Sequence, residues 1–312
     1  MTVAVLTSLA RPFLGDRLPR GIEPVWFETP EDLLAHAADA EIGWFDAFGS
    51  AAMPEAVRQA GKLRWLTTVA AGINHLPLDL LAARGTTLTN GAGLHAGTIA
   101  EYALLGMLTI AKGYREVMRA QDRRDWLQTP PGKGELAGTS ALIVGAGAIG
   151  GRIAHLLRAF DVAVTEVRRS PGPDTLRPDE WQARLGDFDW IIVAVPSTPE
   201  THALFGPETF AAMKEGAVIL NFARGEVIET DALLAAIDSG RLGGAFLDVT
   251  DPEPLPPDHP LWSRENVHIS MHLSGRSQDT IFQKAAERFL ANCSRFLRGE
   301  PLEHVVDLRA GY

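Results

Sequence analysis

Three residues of this chain have the types and settings to act together. They are Arg224 in Asn221-Phe222-Ala223-Arg224-Gly225, Glu253 in Asp248-Val249-Thr250-Asp251-Pro252-Glu253-Pro254, and His272 in Met271-His272-Leu273-Ser274-Gly275. A guanidinium can hold a carboxylate and polarise an adjacent carbonyl. An imidazolium can protonate the alkoxide formed when that carbonyl is reduced, and a carboxylate partner can keep the imidazole charged near neutral pH. The set suits hydride transfer to a 2-keto acid. Singly, each has an ordinary explanation: a surface loop arginine, a solvated carboxylate in a proline loop, a polar residue ending a strand. Yet each follows a strand-length apolar run, and ligands of open α/β sheets sit outside the carboxyl ends of the strands.

The stretch Ala141-Leu142-Ile143-Val144-Gly145-Ala146-Gly147-Ala148-Ile149-Gly150 suggests the hydride source. An apolar run ends in G-x-G-x-x-G and a helical pattern follows. Gly145 permits a tight turn, Gly147 lets backbone approach a pyrophosphate, and Gly150 lets helix and strand pack closely. Ala148 and Ile149 open a helix whose N-terminus offers N–H donors and a positive dipole. The motif alone is weak evidence; the strand before it and the helix after it make it specific for a dinucleotide. The next strand ends Val164-Thr165-Glu166-Val167-Arg168-Arg169-Ser170. An acid at that tip meets the ribose 2′-hydroxyl of NAD. Here Arg168, Arg169 and Ser170 occupy the tip, and such groups grip a 2′-phosphate. Glu166 complicates this: it lies about where the acid is expected, and the period of 2 points it the same way as Arg168. The balance favours NADPH, with NADH possible; the plain alternative is that the two arginines are a solvated surface pair.

Two α/β patterns must position these residues. In the first, strand-like runs at 3–6, 24–27, 42–46, 63–69 and 86–89 alternate with helical patterns at 31–40, 53–60 and 78–83. In the second, apolar runs at 142–144, 162–167, 190–195, 218–222, 245–249 and 267–269 alternate with helices at 148–160, 207–213 and 230–239. Such alternation implies two parallel sheets with helices on both faces. The segment 98–112 is apolar nearly all round, as a helix buried between domains would be. The polar stretch 121–138 leads into the second sheet. The last helical pattern, 277–297, is expected to return to the first domain. The predicted division is a discontinuous substrate domain, 1–98 plus 276–312, around a dinucleotide domain at 99–275. An interdomain cleft would lie between hinges near 98 and 276.

At 312 residues, two cored domains are expected. A net charge of −10 argues against a nucleic-acid or anionic-membrane partner, though a local arginine can still capture an anionic substrate. The single cysteine, Cys293, excludes an internal disulfide framework and fits a reducing cytoplasm. The N-terminus reads as a strand, not a signal peptide, and the longest apolar stretch is too short to span a bilayer. His268 and His272 have the spacing of a helical zinc pair. Their stretch reads as strand then loop, so they would not share a face and no metal is expected. No G-x-S-x-G elbow occurs.

Over essentially its full length the chain resembles the D-isomer-specific 2-hydroxyacid dehydrogenase family. The residues that carry the resemblance are Ala71-Gly72-Ile73-Asn74, Ala100-Glu101-Tyr102-Ala103, Glu135-Leu136-Ala137-Gly138, the glycine motif, Asn221–Gly225, 229–233, 248–256 and His272. Within the family it is most similar to the glyoxylate/hydroxypyruvate reductase branch. Glu253-Pro254-Leu255-Pro256-Pro257, Pro260-Leu261-Trp262, the C-terminal Arg309-Ala310-Gly311-Tyr312 and the arginines at the ribose position point there. The resemblance implies a Rossmann cofactor domain inserted into a flavodoxin-like substrate domain. It implies that Arg224 binds the substrate carboxylate and carbonyl, that His272 is the general acid, and that Glu253 hydrogen-bonds and tunes it. Backbone N–H groups of Ala71 and Gly72 would complete the carboxylate site. Asp248 would contact the nicotinamide carboxamide, Pro196 and Ala223 would line the cofactor groove, and Thr98 would reach the phosphates. A homodimer is also implied. Met271 stands where the family usually has Pro, and Thr250 where it has an aromatic; both bear on loop geometry and substrate choice. Trp44, Phe45 and His75 are candidates for the substrate pocket, although core packing accounts for the two aromatics as well. The alternatives are an NAD-dependent dehydrogenase for a bulkier substrate and a non-enzymatic nucleotide-sensing scaffold of the same fold. The absence of long disordered tails favours the enzyme.

Overall fold

A computed structural model describes residues 1–46, 52–73, 75–170, 172–276 and 280–309. Asn74, the first residues of the last helical pattern (277–279) and the terminal Ala310-Gly311-Tyr312 lie outside them. The chain divides into two compact units, Met1–His95 with Ser277–Tyr312, and Ala96–Arg276. The dividing points are His95/Ala96 and Arg276/Ser277. The first precedes residue 98 because Ala96 already opens the long helix Ala96–Lys112.

In the first unit five parallel strands, β1 (Thr2–Thr7), β2 (Ile22–Phe27), β3 (Ile42–Trp44), β4 (Trp65–Thr67) and β5 (Thr87–Thr89), lie in the order β2-β1-β3-β4-β5. This is the flavodoxin-like order. The helix Pro30–His36 starts where the sequence tells it to. Thr29 and Asp32 form a reciprocal capping box, and Pro30 takes the first turn, where its missing N–H costs nothing. The helix Ile281–Arg298 packs onto this sheet: Phe289 lies 5.2 Å from the ring of Trp44 and 4.9 Å from that of Trp65. Trp44 and Phe45 are core residues with essentially no exposed surface, so packing accounts for both. His75 is exposed.

In the second unit seven parallel strands take the order β12-β11-β10-β9-β6-β7-β8. They are β6 (Ser140–Val144), β7 (Ala163–Val167), β8 (Thr175–Leu176), β9 (Trp190–Val193), β10 (Ala217–Asn221), β11 (Leu242–Leu247) and β12 (Val267–Ile269). The order is the doubly wound one, and it reverses between β6 and β9, which creates a crevice at their carboxyl ends. Strands β9 and β10 are buried at every position, as strands covered on both faces must be. The sequence pattern gave six strands. The seventh, β8, has only two residues and no apolar run, and it is held by pairing Glu166 with Thr175 and Val167 with Leu176. Tyr114–Arg123, part of it within the stretch read as polar, forms a helix. Helix Ala96–Lys112 is not buried all round, since Leu105 is 52% exposed.

Candidate active site

The glycine turn joins β6 to the helix Ala148–Arg158 at the strand-order reversal. Gly145 has φ +104, and a Cβ there would lie 2.5 Å from the Ala194 carbonyl oxygen at the end of β9. A Cβ on Gly150 would lie 2.2 Å from the Gly145 oxygen and 2.9 Å from Ile143. Gly147 is different: none of the described residues lies within 4 Å of its Cβ position, so the turn is open to them there. Gly147 is also the N-cap of the helix, and no side chain caps the N–H groups that Ala148 and Ile149 begin. Open space over uncapped donors at a positive helix end fits a dinucleotide pyrophosphate. Thr98 lies in the first turn of helix Ala96–Lys112, which packs on this same helix.

Arg168, Arg169 and Ser170 follow β7 and are exposed. Glu166, inside β7, is only 4% exposed. Its Oε1 accepts from Arg158 Nη2 at 2.9 Å, and its Oε2 from Arg168 Nη2 at 2.6 Å and Nε at 3.2 Å. Burial pushes the Glu166 carboxyl up, but hydrogen bonds from Arg168 and Arg158 outweigh it and hold the group below the usual carboxylate range. Pro196 lies exposed beyond β9, and Ala223 is buried beyond β10.

The three strand-end loops after β10, β11 and β12 carry Arg224, Glu253 and His272. Asn221 shapes the first: its Oδ1 accepts from Ala223 N at 2.9 Å and its Nδ2 donates to Arg224 O at 2.9 Å. The Arg224 Nη1 donates to the Ala223 carbonyl at 2.7 Å. Gly225 then meets the second loop so closely that a Cβ would lie 2.1 Å from the carbonyl carbon and oxygen of Thr250. In that loop Thr250 N donates to Glu253 Oε1 at 3.1 Å. The other carboxylate oxygen, Oε2, meets His272 Nδ1 at 2.8 Å. The structure thus joins Glu253 to His272 directly, and brings the Arg224 loop against the loop that bears Glu253.

Ser270 and Ser274, outside the predicted set, hold this arrangement through Asp248, which is in it. Asp248 is 3% exposed and accepts from Ser270 Oγ at 2.7 Å, from Ser274 N at 3.1 Å and from Ser274 Oγ. Its own carbonyl accepts from His272 N. The carboxylate assigned by resemblance to the nicotinamide carboxamide is therefore engaged with the two serines that flank His272. Met271 and His272 have φ +54 and +55, left-handed values that cost non-glycine residues energy and persist where surrounding bonds impose them. Proline's ring forbids such a φ, so Met271 gives this loop a conformation that the residue usual there could not adopt. Small hydroxyl residues beside a histidine were the only sequence signal of these supports.

In the first unit the segment 69–72 follows β4. Asp46 accepts from Thr68 Oγ1 at 2.8 Å and Val69 N at 3.1 Å, and Asn90 Nδ2 donates to Ala71 O at 2.9 Å. Burial pushes the Asp46 carboxyl up to about 6, against the opposing effect of the bonds from Thr68 and Val69. The N–H groups of Ala71 and Gly72 donate to no acceptor among the described residues. Also among the described residues, no group of three or more His, Cys, Asp or Glu could hold a metal ion, and no helix is long and apolar enough to cross a membrane.

A doubly wound sheet with a phosphate-type glycine turn and a Glu–His pair at its carboxyl edge defines a dinucleotide-binding α/β oxidoreductase. Residues 104–274 match the family model described as D-isomer specific 2-hydroxyacid dehydrogenase, NAD binding domain. The chain belongs to the D-isomer specific 2-hydroxyacid dehydrogenase family. It is 34% identical over 261 residues to a glyoxylate reductase/hydroxypyruvate reductase of Homo sapiens, covering 79% of this chain and 77% of that protein. A D-isomer specific 2-hydroxyacid dehydrogenase family protein from Aeromonas salmonicida superposes with a TM-score of 0.86 at 30% identity, over 98% of this chain and 99% of that one. An NADPH-dependent glyoxylate/hydroxypyruvate reductase from Sinorhizobium meliloti, solved with NADP and sulfate, superposes with a TM-score of 0.82 at 25% identity, over 100% and 99%.

Proposed function

We propose that this oxidoreductase uses NADPH to reduce a small 2-keto acid, of the glyoxylate or hydroxypyruvate kind, to the D-2-hydroxy acid. The observation that carries the reading is the 2.8 Å contact of His272 Nδ1 with Glu253, at the sheet edge that also bears Arg224 and the glycine turn. When bound, the nicotinamide supplies the hydride. The remaining chemistry belongs to the chain. Arg224 holds the substrate carboxylate and polarises the carbonyl. With Nδ1 bonded to Glu253, His272 keeps Nε2 as the position that gives a proton to the alkoxide. The buried Asp248 fixes the His272 loop through Ser270 and Ser274 and serves the carboxamide. The N–H groups of Ala71 and Gly72, which meet no acceptor among the described residues, take part in carboxylate capture.

Gly145, Gly147, Ala148, Ile149 and Gly150 hold the pyrophosphate, with Thr98 as a further phosphate contact. Pro196 and Ala223 line the groove, and Arg168, Arg169 and Ser170 receive the 2′-phosphate. The Sinorhizobium meliloti reductase, which its description calls NADPH-dependent, supports the cofactor assignment. We further propose a cytoplasmic homodimer; exposed Leu105, Tyr114, Met118 and Trp126 are apolar side chains that a second copy would cover. The test is a panel of glyoxylate, hydroxypyruvate, pyruvate and phenylpyruvate with NADPH and with NADH. Oxidation of NADPH fastest with the two smallest polar acids is expected. Preference for phenylpyruvate with NADH would favour an NAD-dependent enzyme for bulkier acids, and no oxidation with any acid would favour a nucleotide-sensing scaffold.

A further inference from the structure

We propose that Glu166 is a positioning residue for cofactor choice, one that clamps the Arg168 guanidinium at the tip of β7 and does not itself meet the ribose. This rests on the NADPH reading above. A carboxylate that accepts from a ribose hydroxyl must present an oxygen at the surface. That of Glu166 is buried, and both of its oxygens are already engaged by arginines. The two arginines come from different elements. Arg158 is the last residue of the helix that begins at the glycine turn, and Arg168 lies just past the strand. One carboxylate between two guanidiniums leaves a net positive charge at the tip and removes the repulsion between them. The clamp uses Nε and one Nη of Arg168. The other, Nη1, has no acceptor among the described residues and keeps both N–H groups for an incoming anion. A phosphate at the 2′ position is the anion this would take; a bare 2′-hydroxyl gains nothing comparable.

Glu166 thus acts through Arg168, which a double-mutant comparison can reveal. The affinities of NADPH and NADH are measured by fluorescence titration for the wild type, Glu166→Gln, Arg168→Ala and the double variant. Glu166→Gln is expected to weaken NADPH by about fivefold, the worth of a half-exposed ion pair, with NADH unchanged. In the Arg168→Ala background the same change is expected to have no further effect. Tighter NADPH with weaker NADH would mean that Glu166 meets the ribose, and overturns the proposal. So does a Glu166→Gln effect that persists without Arg168. If Arg168→Ala weakens NADPH but Glu166→Gln does not, the clamp alone is wrong. If Arg168→Ala leaves NADPH affinity unchanged, the NADPH reading falls with it. Should Glu166→Gln fail to fold, Glu166→Asp keeps the charge with a shorter reach. It should show the same selective loss, and normal NADPH affinity in that variant also overturns the clamp.

Discussion

Replacing Gly225 by Ala probes the site without touching a reacting group. The added Cβ would lie 2.1 Å from the carbonyl carbon and oxygen of Thr250 and 2.5 Å from Asp251 N. Ordinary contact between such atoms needs about 3.5 Å, so one loop must retreat by roughly 1.4 Å. The neighbours are backbone on both sides, and no flexible side-chain end can give way. Arg224 precedes the glycine, and the loop it presses on holds Glu253 through the Thr250 N–H. Misplacement of catalytic groups by about 1 Å costs about 10²-fold in rate, equivalent to about 2.7 kcal/mol of transition-state stabilisation. Overpacking would also lower stability by about 1–3 kcal/mol. Steady-state kinetics with hydroxypyruvate should therefore show kcat/KM about 10²-fold lower. NADPH affinity should stay within about threefold of wild type, because the contacts proposed for its phosphates lie at the glycine turn after β6 and the arginine tip after β7, on strands other than β10. A folded variant with kcat/KM within threefold of wild type would refute the claim that this loop contact holds Arg224 in register with Glu253 and His272.

His272→Ala should lower turnover by about 10³-fold, within the usual worth of a general acid, while NADPH titrates normally; surviving activity would mean the acid is another group. Arg168→Asp places an anion where a cation met the phosphate, so the NADPH-to-NADH ratio of kcat/KM should fall by at least about tenfold; an unchanged ratio contradicts the assignment. The third concerns pH and stability. Burial chiefly, with the charges of Arg115 and Arg119, pushes the His268 imidazole from 6.5 down to about 4. A base with a depressed folded pKa contributes stability above 6.5 that is lost as pH falls through 6.5 toward 4. Urea unfolding should show the wild type losing about 1 kcal/mol from this group between pH 7.5 and 5, a value reduced by its partial exposure. His268→Gln should lose less over the same range, and equal losses in both proteins would contradict this.

The strands were legible because parallel strands covered on both faces must be apolar throughout. β9 and β10 stand out for that reason, while two-residue β8 carries no such signal and exists only by pairing with β7. Helix Tyr114–Arg123 was hidden because it is short and mostly polar: Tyr114, Val117 and Met118 share one face, but the helix buries little more than Ala120. The opposite error arose at Leu105, where an apolar residue faces outward and composition alone reads as burial. Arg224, Glu253 and His272 could be found because the strand-end rule turns sequence position into spatial position. Their supports could not. The bonds of Ser270 and Ser274 to Asp248 join residues more than twenty positions apart, and they depend on the register of β11 against β12. Glu166 was misleading in isolation, since its type suggests a ribose contact. Only the fold shows that Arg158 and Arg168 take both of its oxygens.

Reduction of a 2-keto acid in the D sense by the Arg224, Glu253 and His272 loops can be read from the product: purified protein is mixed with hydroxypyruvate and NADPH, and the glycerate formed is resolved on a chiral column. D-glycerate should form in step with NADPH oxidation, and His272→Ala should form almost none while still binding NADPH. L-glycerate as product, or oxidation of neither NADPH nor NADH, would contradict it.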